Sequence, residues 1–262
     1  MNPAERLDLA RARGIRELLG DALRIYAQNF ATVIAVAAAI VVPVQMIVSG
    51  IGLEELTAPY RESTTTAELL VPTAVSFLVV APLIAAAAIH ILRELAAARE
   101  PHPGRSLQVG LDVFAPVFLA VVLAGVGIAV GLLALIVPGV FLAVRWLFVP
   151  QAVVIDGARG AGALRASWEA TRGFWWRTLG VILLANLVAL LPGLLIVSPL
   201  NALAESADRQ VVSLVGVIVS ETITAPFVAI VSTLLFYDLR ARAQPATQAP
   251  PPGQLTLDDE SR

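Results

Sequence analysis

Two charges sit inside apolar runs of this chain, where a charge needs a chemical reason. Arg145 lies in the run 140–155 and Glu221 in the run 211–237. An ionised side chain in hydrocarbon is costly, so it faces a bundle interior, water or a partner of opposite sign. The guanidinium is a planar fork suited to two-point bonding with a carboxylate or a phosphate. Counted from the same end of their runs, the two residues are about five and about ten positions deep. At about 1.5 Å per residue their Cα depths then differ by roughly 8 Å, a gap two long side chains can close. The spacing predicts a buried pair of Arg145 and Glu221 facing the interior. Such a pair either fixes helix packing or forms part of a substrate or ion site. The remaining option is that Arg145 reaches outward to the headgroups.

Polar residues concentrate in the run that carries Glu221. Ser213, Ser220, Thr222, Thr224, Ser232 and Thr233 lie along it, and Pro226 interrupts it. That composition places the last span against other helices, with Thr222 and Thr224 as interior candidates. Hydroxyls bonding back to their own helix carbonyls account for many such residues. Gln45 and Asn186 are further interior candidates.

A different chemistry follows Gly157. Trp168, Trp175 and Trp176 alternate with Arg165, Arg172 and Arg177. Indole rings favour the headgroup level of a bilayer, and arginines favour anionic lipid phosphates. These six residues are expected to make an interfacial segment, as an anchor or as a contact for membrane lipids.

Much other chemistry is missing from the sequence. There is no Cys and there are only two His, which leaves no thiol nucleophile and no His-based metal cluster. No phosphate loop, GxSxG elbow or HExxH helix occurs. No catalytic, cofactor-binding or metal-binding residue can be named, and the expectation is a protein without enzymatic activity or cofactor. No nucleic acid is expected as a partner. Lipids, and a membrane protein, are.

The elements that must position these groups are membrane helices. Of 262 residues, 58% are hydrophobic and 15% charged, against about a quarter charged in ordinary domains. The excess lies in long Ala/Val/Leu/Ile runs. They predict an all-α integral membrane protein with six spans at about 30–50, 69–92, 113–137, 140–155, 178–200 and 211–237. Pro138-Gly139 is expected as the turn between the third and fourth spans, and Pro192-Gly193 as a break in the fifth. Residues 1–29 read as a cytoplasmic segment with an interfacial helix, on which Ile15, Leu18, Leu19, Ala22, Leu23, Tyr26 and Phe30 form one stripe. The polar lead is too long for a cleavable signal peptide, so the first span is expected to stay as an anchor. The tail 243–262 is rich in Pro, Ala and Gln, then acidic, and is expected to be disordered.

Every basic residue is Arg, and the arginines orient the spans. With the N-terminus inside, fifteen fall on cytoplasmic segments and two, Arg61 and Arg209, outside. This predicts a multi-pass protein of the plasma membrane with both termini cytoplasmic. Shorter amphipathic segments at about 14–29, 105–112 and 160–177 precede each pair of spans, which suggests three hairpins with surface helices.

Four stretches carry a resemblance: GDALRIYAQNF, VPGVFLAVRWLFVPQAVVI, GALRASWEATRGFWWR and LLFYDLRAR. Together they resemble the glycerophosphoryl diester phosphodiesterase membrane domain family, multi-spanning bacterial domains sometimes fused to a soluble phosphodiesterase. The resemblance runs to about residue 242. It implies a bacterial inner-membrane domain tied to glycerophospholipid metabolism, without the catalytic domain. The function expected is a non-enzymatic protein that organises or binds lipids or partner proteins at the inner leaflet. The alternative is a small transporter whose cavity is lined by the last span with Arg145 and Glu221.

Overall fold

The computed structural model describes residues 7–9, 11–48, 73–203 and 209–243. Among these residues every regular element is a helix. The expected outer loop 51–68, the first residues of the second span and the tail from 244 onward lie outside them.

The chain starts its first helix at Gly14, which is extended (φ −66°, ψ 159°). Glu17 reaches back to accept the Gly14 N–H at 3.3 Å, one half of a capping box. Helix α1 (Ile15–Gln28) buries Leu18, Ala22, Ile25 and Tyr26 along one stripe. Helix α2 (Phe30–Val48) follows after a single residue. Helix α3 (Thr73–Ala96) is apolar up to Ile89 and carries His90, Arg93 and Glu94 near its end; it contains a π-turn at Ser76–Val80, with the Ala81 N–H on the Ser76 carbonyl. The wide turn lies just before Pro82, whose ring cannot sit over a regular preceding turn and which has no N–H to give.

Helix α4 (Pro103–Asp112) begins on a proline, which suits a first turn. Helix α5 (Phe114–Ala134) and helix α6 (Ile136–Arg145) are separated by Leu135 alone, in extended conformation (φ −166°, ψ 148°). The expected turn at Pro138-Gly139 is therefore displaced. Pro138 lies in the first turn of α6, where its missing N–H has no intrahelical partner to lose. Gly139 serves close packing: a Cβ there would fall 2.7 Å from the Leu132 backbone nitrogen of α5. Gly131, directly opposite, would place a Cβ 3.1 Å from the Gly139 Cα. Small residues at this seam let two backbones approach without a Cβ between them.

Helix α7 (Val149–Asp156) ends in left-handed Gly157 (φ 67°), a conformation that glycine adopts without strain. Helix α8 (Ala161–Ala170) then meets helix α9 (Trp175–Leu203) at a bend of 96°. Helix α9 continues through 192–193, so the expected break there is absent. Helix α10 (Arg209–Ala243) has 35 residues, about 52 Å at 1.5 Å per residue.

Helix α10 is the axis of the fold. Its Phe227, Ile230, Val231, Leu234, Phe236 and Leu239 are buried around the whole circumference, the mark of a helix enclosed by others. Helices α1, α2, α3 and α9 pack on it in one core. Tyr26 of α1 is the clearest anchor. Its ring meets Phe227 at 6.0 Å, and its hydroxyl donates to the Ile223 carbonyl at 2.8 Å. The α1 stripe is thus occupied within the protein, while Ile15, Leu23 and Phe30 stay exposed. Helices α5, α7 and α8 share a second, smaller core around Val117, Ala120, Ala152 and Ala163.

The outer surface is apolar where the helices are. Leu133 is 88% exposed, and Leu119, Ile136, Val137, Leu187 and Leu195 are exposed with it. Among the described residues five helical stretches are long and apolar enough to cross a membrane, one of them α6 and α7 taken together, and a sixth if the bent pair α8 and α9 counts as one. The chain is a helical membrane protein.

Candidate functional site

Arg145 closes α6, and the chain leaves the helix through Trp146 before α7 begins. Ser167 of α8 bridges that break. Its buried hydroxyl donates to the Arg145 carbonyl at 2.8 Å and accepts the Phe148 N–H at 3.1 Å. One turn on, Thr171 donates its hydroxyl proton to the Trp168 or Ser167 carbonyl, at 3.0 and 3.1 Å. Its oxygen is then an acceptor for the Arg145 guanidinium, 3.4 Å from Nη1.

Aromatic rings complete the enclosure. The guanidinium carbon lies 5.1 Å from the centroid of Phe141 and 4.8 Å from that of Trp168, cation–π distances. Phe141 is one turn before Arg145 on the same helix face. Trp175 stacks on Phe141 at 5.9 Å, and its indole N–H points to the Phe141 carbonyl at 3.4 Å. Arg172, next in the chain after Thr171, is exposed. The Arg145 Nε is buried without a hydrogen-bond partner. Among the described residues no carboxylate pairs with this arginine.

Glu221 lies elsewhere. Its carboxylate accepts from the Gln45 amide of α2. The same nitrogen is 3.2 Å from the Ser76 hydroxyl, at the π-turn of α3. The expected Arg145–Glu221 pair is not formed. Depth along each span placed both residues plausibly, but depth says nothing about which neighbours a helix faces. Helix α6 packs on α5 and α9, whereas α10 meets α2 and α3 beside Glu221.

The other sequence candidates divide. Gln45 is buried at that cluster. Thr222 is buried with its hydroxyl unpartnered. Thr224 bonds back to the Ser220 carbonyl at 2.8 Å. Asn186 is exposed and bonds back to the Ile182 carbonyl at 2.8 Å, so it is not an interior residue. Trp176 is 79% exposed, and Trp168, Arg165 and Arg172 are also exposed. Arg165 faces Glu169 across 3.7 Å of open surface, a contact of little energetic weight. Trp175 turns inward onto Phe141 instead of standing at a surface.

Arg177 needs the largest correction. Its Nε bonds Asp238 at 3.0 Å and its Nη2 the Arg13 carbonyl at 2.6 Å. Neither partner, Asp238 nor Arg13, was among the sequence candidates. Asp238 is wholly buried and also accepts the Arg13 backbone N–H at 2.6 Å and the Arg242 Nε at 3.1 Å. Arg242 Nη2 donates to the Arg13 carbonyl at 2.6 Å. The Arg13 guanidinium, on a residue only 2% exposed, bonds Asp21 at 3.0 Å and the carbonyls of Arg11 and Asp8. The knot ties the segment before α1 to the start of α9 and the end of α10. A cleft of about 410 Å³ opens beside it, lined by Arg11, Asp21, Arg24 and Gln28 among others. One signal was in the sequence: an acidic residue in the last turns of a helix opposes the macrodipole and calls for nearby cations.

No curated protein and no solved structure matches the chain. A family model described as a domain of unknown function, DUF7847, matches residues 104–239. That segment contains the entire Arg145 enclosure, whereas the other two clusters draw Gln45 and Arg13 from before it. With just over half of its length in this match, the chain belongs to the DUF7847 family.

Proposed function

We propose that this chain is a non-enzymatic membrane protein that binds and organises lipids, or a partner membrane protein, at the inner leaflet. In this reading its six spans form three hairpins, each preceded by a cytoplasmic interfacial segment. Both termini are cytoplasmic and the membrane is the plasma membrane. The observation that carries the reading is the elbow between α8 and α9, which exposes Trp168 and Trp176 beside Arg165 and Arg172. Indole and guanidinium side by side suit the boundary between acyl chains and phosphates. The resemblance to glycerophosphoryl diester phosphodiesterase membrane domains supports a link to glycerophospholipid metabolism.

Native mass spectrometry of the detergent-purified chain tests this reading. Retained anionic phospholipid or a co-purifying membrane protein is expected, and a chain that carries neither refutes it. Topology is checked by labelling single cysteines, since the chain has none of its own. Arg165→Cys should react from the cytoplasmic side and Arg61→Cys from outside.

The transport reading keeps one specific support, the Glu221 carboxylate held by Gln45 at the π-turn. It no longer joins Glu221 and Arg145 in one cavity.

A further inference from the structure

We infer that Arg145, with Thr171 and Arg172, forms a binding site for a phosphate group, and that its ligand is the phosphate of an anionic phospholipid. The inference rests on the lipid-binding reading above and gives it a site and a headgroup class.

Arg145 ends an apolar helix and stays cationic, because a guanidinium holds its proton under all ordinary conditions. Its protein contacts are a hydroxyl at 3.4 Å and two ring faces. Neither neutralises a charge, and the Nε is left buried without a partner. Arg172, the residue after Thr171, carries a charge of the same sign. Two cations held together without a carboxylate are stabilised when an anion arrives from outside the chain. A phosphate accepts from both guanidinium groups through several oxygens and matches the fork geometry.

The aromatic residues select among headgroups. A choline or similar quaternary ammonium would bind a free indole or phenyl face. The Phe141 and Trp168 faces are already covered by the Arg145 guanidinium, and Trp175 is stacked on Phe141. Two arginines repel an ammonium. A headgroup with net negative charge therefore fits better than a zwitterionic one. The exposed Trp176 ring, packed edge-on against Trp175 at 4.6 Å, stands beside the site at the position an acyl chain would occupy.

The site also has a built frame. Ser167 bridges the α6–α7 break, and Thr171 is oriented by the carbonyls of Ser167 and Trp168. Ser167 lies in α8 and Thr171 caps its C-terminus, so the two hydroxyls tie the end of that helix to the membrane arginine.

The test uses the full chain in detergent with phosphatidylglycerol, phosphatidylcholine or inorganic phosphate added, and native mass spectrometry as the readout. Wild type should retain phosphatidylglycerol about tenfold better than phosphatidylcholine. Arg145→Gln should lose most of that preference, and Arg99→Gln, at an exposed arginine paired with Glu94, should keep it. If Arg145→Gln does not remain monodisperse, Arg145→Lys decides, since it keeps the charge and loses the fork. A preference weakened several-fold in Arg145→Lys supports the site, and an unchanged preference overturns it. Saturation of the wild-type chain by inorganic phosphate, abolished in Arg145→Gln without any lipid preference, overturns the lipid source. If wild type retains lipid and Arg145→Gln retains it equally, this site falls while the lipid-binding reading stands. If wild type retains no lipid, both fall.

Discussion

Asp238 and Arg145 are opposite solutions to the problem of charge in an apolar protein. Around Asp238, one carboxylate meets the Arg177 and Arg242 guanidinium groups and the Arg13 N–H, and the Arg13 carbonyl takes the surplus donors. Around Arg145, one guanidinium meets ring faces and a hydroxyl but, among the described residues, no carboxylate. The first arrangement satisfies its own groups and so serves to hold α1, α9 and α10 together. The second leaves a cation to be completed from outside the chain, which is what a binding site requires. The comparison teaches that the number of charges is a poor guide to function; what matters is whether the protein itself balances them.

The strongest way to break this comparison is at the saturated centre. Asp238→Ala would strand the cations it accepts from, and should cost about 3–5 kcal/mol, typical of a buried ion pair with one partner removed. Thermal unfolding in detergent should show a large loss, against a loss for Arg145→Gln of about 1 kcal/mol or less, the scale of a partly exposed cation–π contact. A tolerant Asp238→Ala beside a crippling Arg145→Gln would reverse the roles assigned here.

A double-mutant cycle sharpens the same contrast. Arg145→Ala and Glu221→Gln share no partner, so their effects on unfolding should add to within about 0.5 kcal/mol. A larger coupling would mean that the two charges meet after all.

A further effect concerns the anchor of α1. Burial pushes the Tyr26 hydroxyl up to about 12 from an ordinary 10.0. The folded state therefore holds this proton more tightly than the unfolded one. The resulting stability is complete below pH 10 and is lost as pH rises toward 12. Tyr26→Phe should lack that part of the alkaline decline in unfolding temperature, and an identical decline in both proteins would show that the hydroxyl contributes nothing.

The sequence showed some of this directly and only part of the rest. Long apolar runs announce spanning helices because backbone groups in hydrocarbon must be satisfied within the segment. The polar character of Gln45 and Thr222 was legible too, as residues a lipid-facing helix has no use for. Pro138-Gly139 misled because the pair serves equally as a turn or as a helix start beside a close crossing. Only the extended Leu135 between α5 and α6 distinguishes the two. Asn186 misled because an amide that bonds its own Ile182 carbonyl can face outward. Arg177 was one of six similar surface candidates, and nothing in its local sequence pointed to Asp238, 61 positions away.

By itself, then, the sequence determined the class of protein, because hydrophobic length and backbone satisfaction are local properties of a segment. It also determined that Arg145 and Glu221 would need an explanation. Which groups explain them was decided by tertiary structure alone. A residue's depth follows from counting along one helix, but its partner depends on how separate helices are rotated and packed. That packing gave Glu221 to Gln45, gathered three arginines around Asp238, and left Arg145 among aromatic rings.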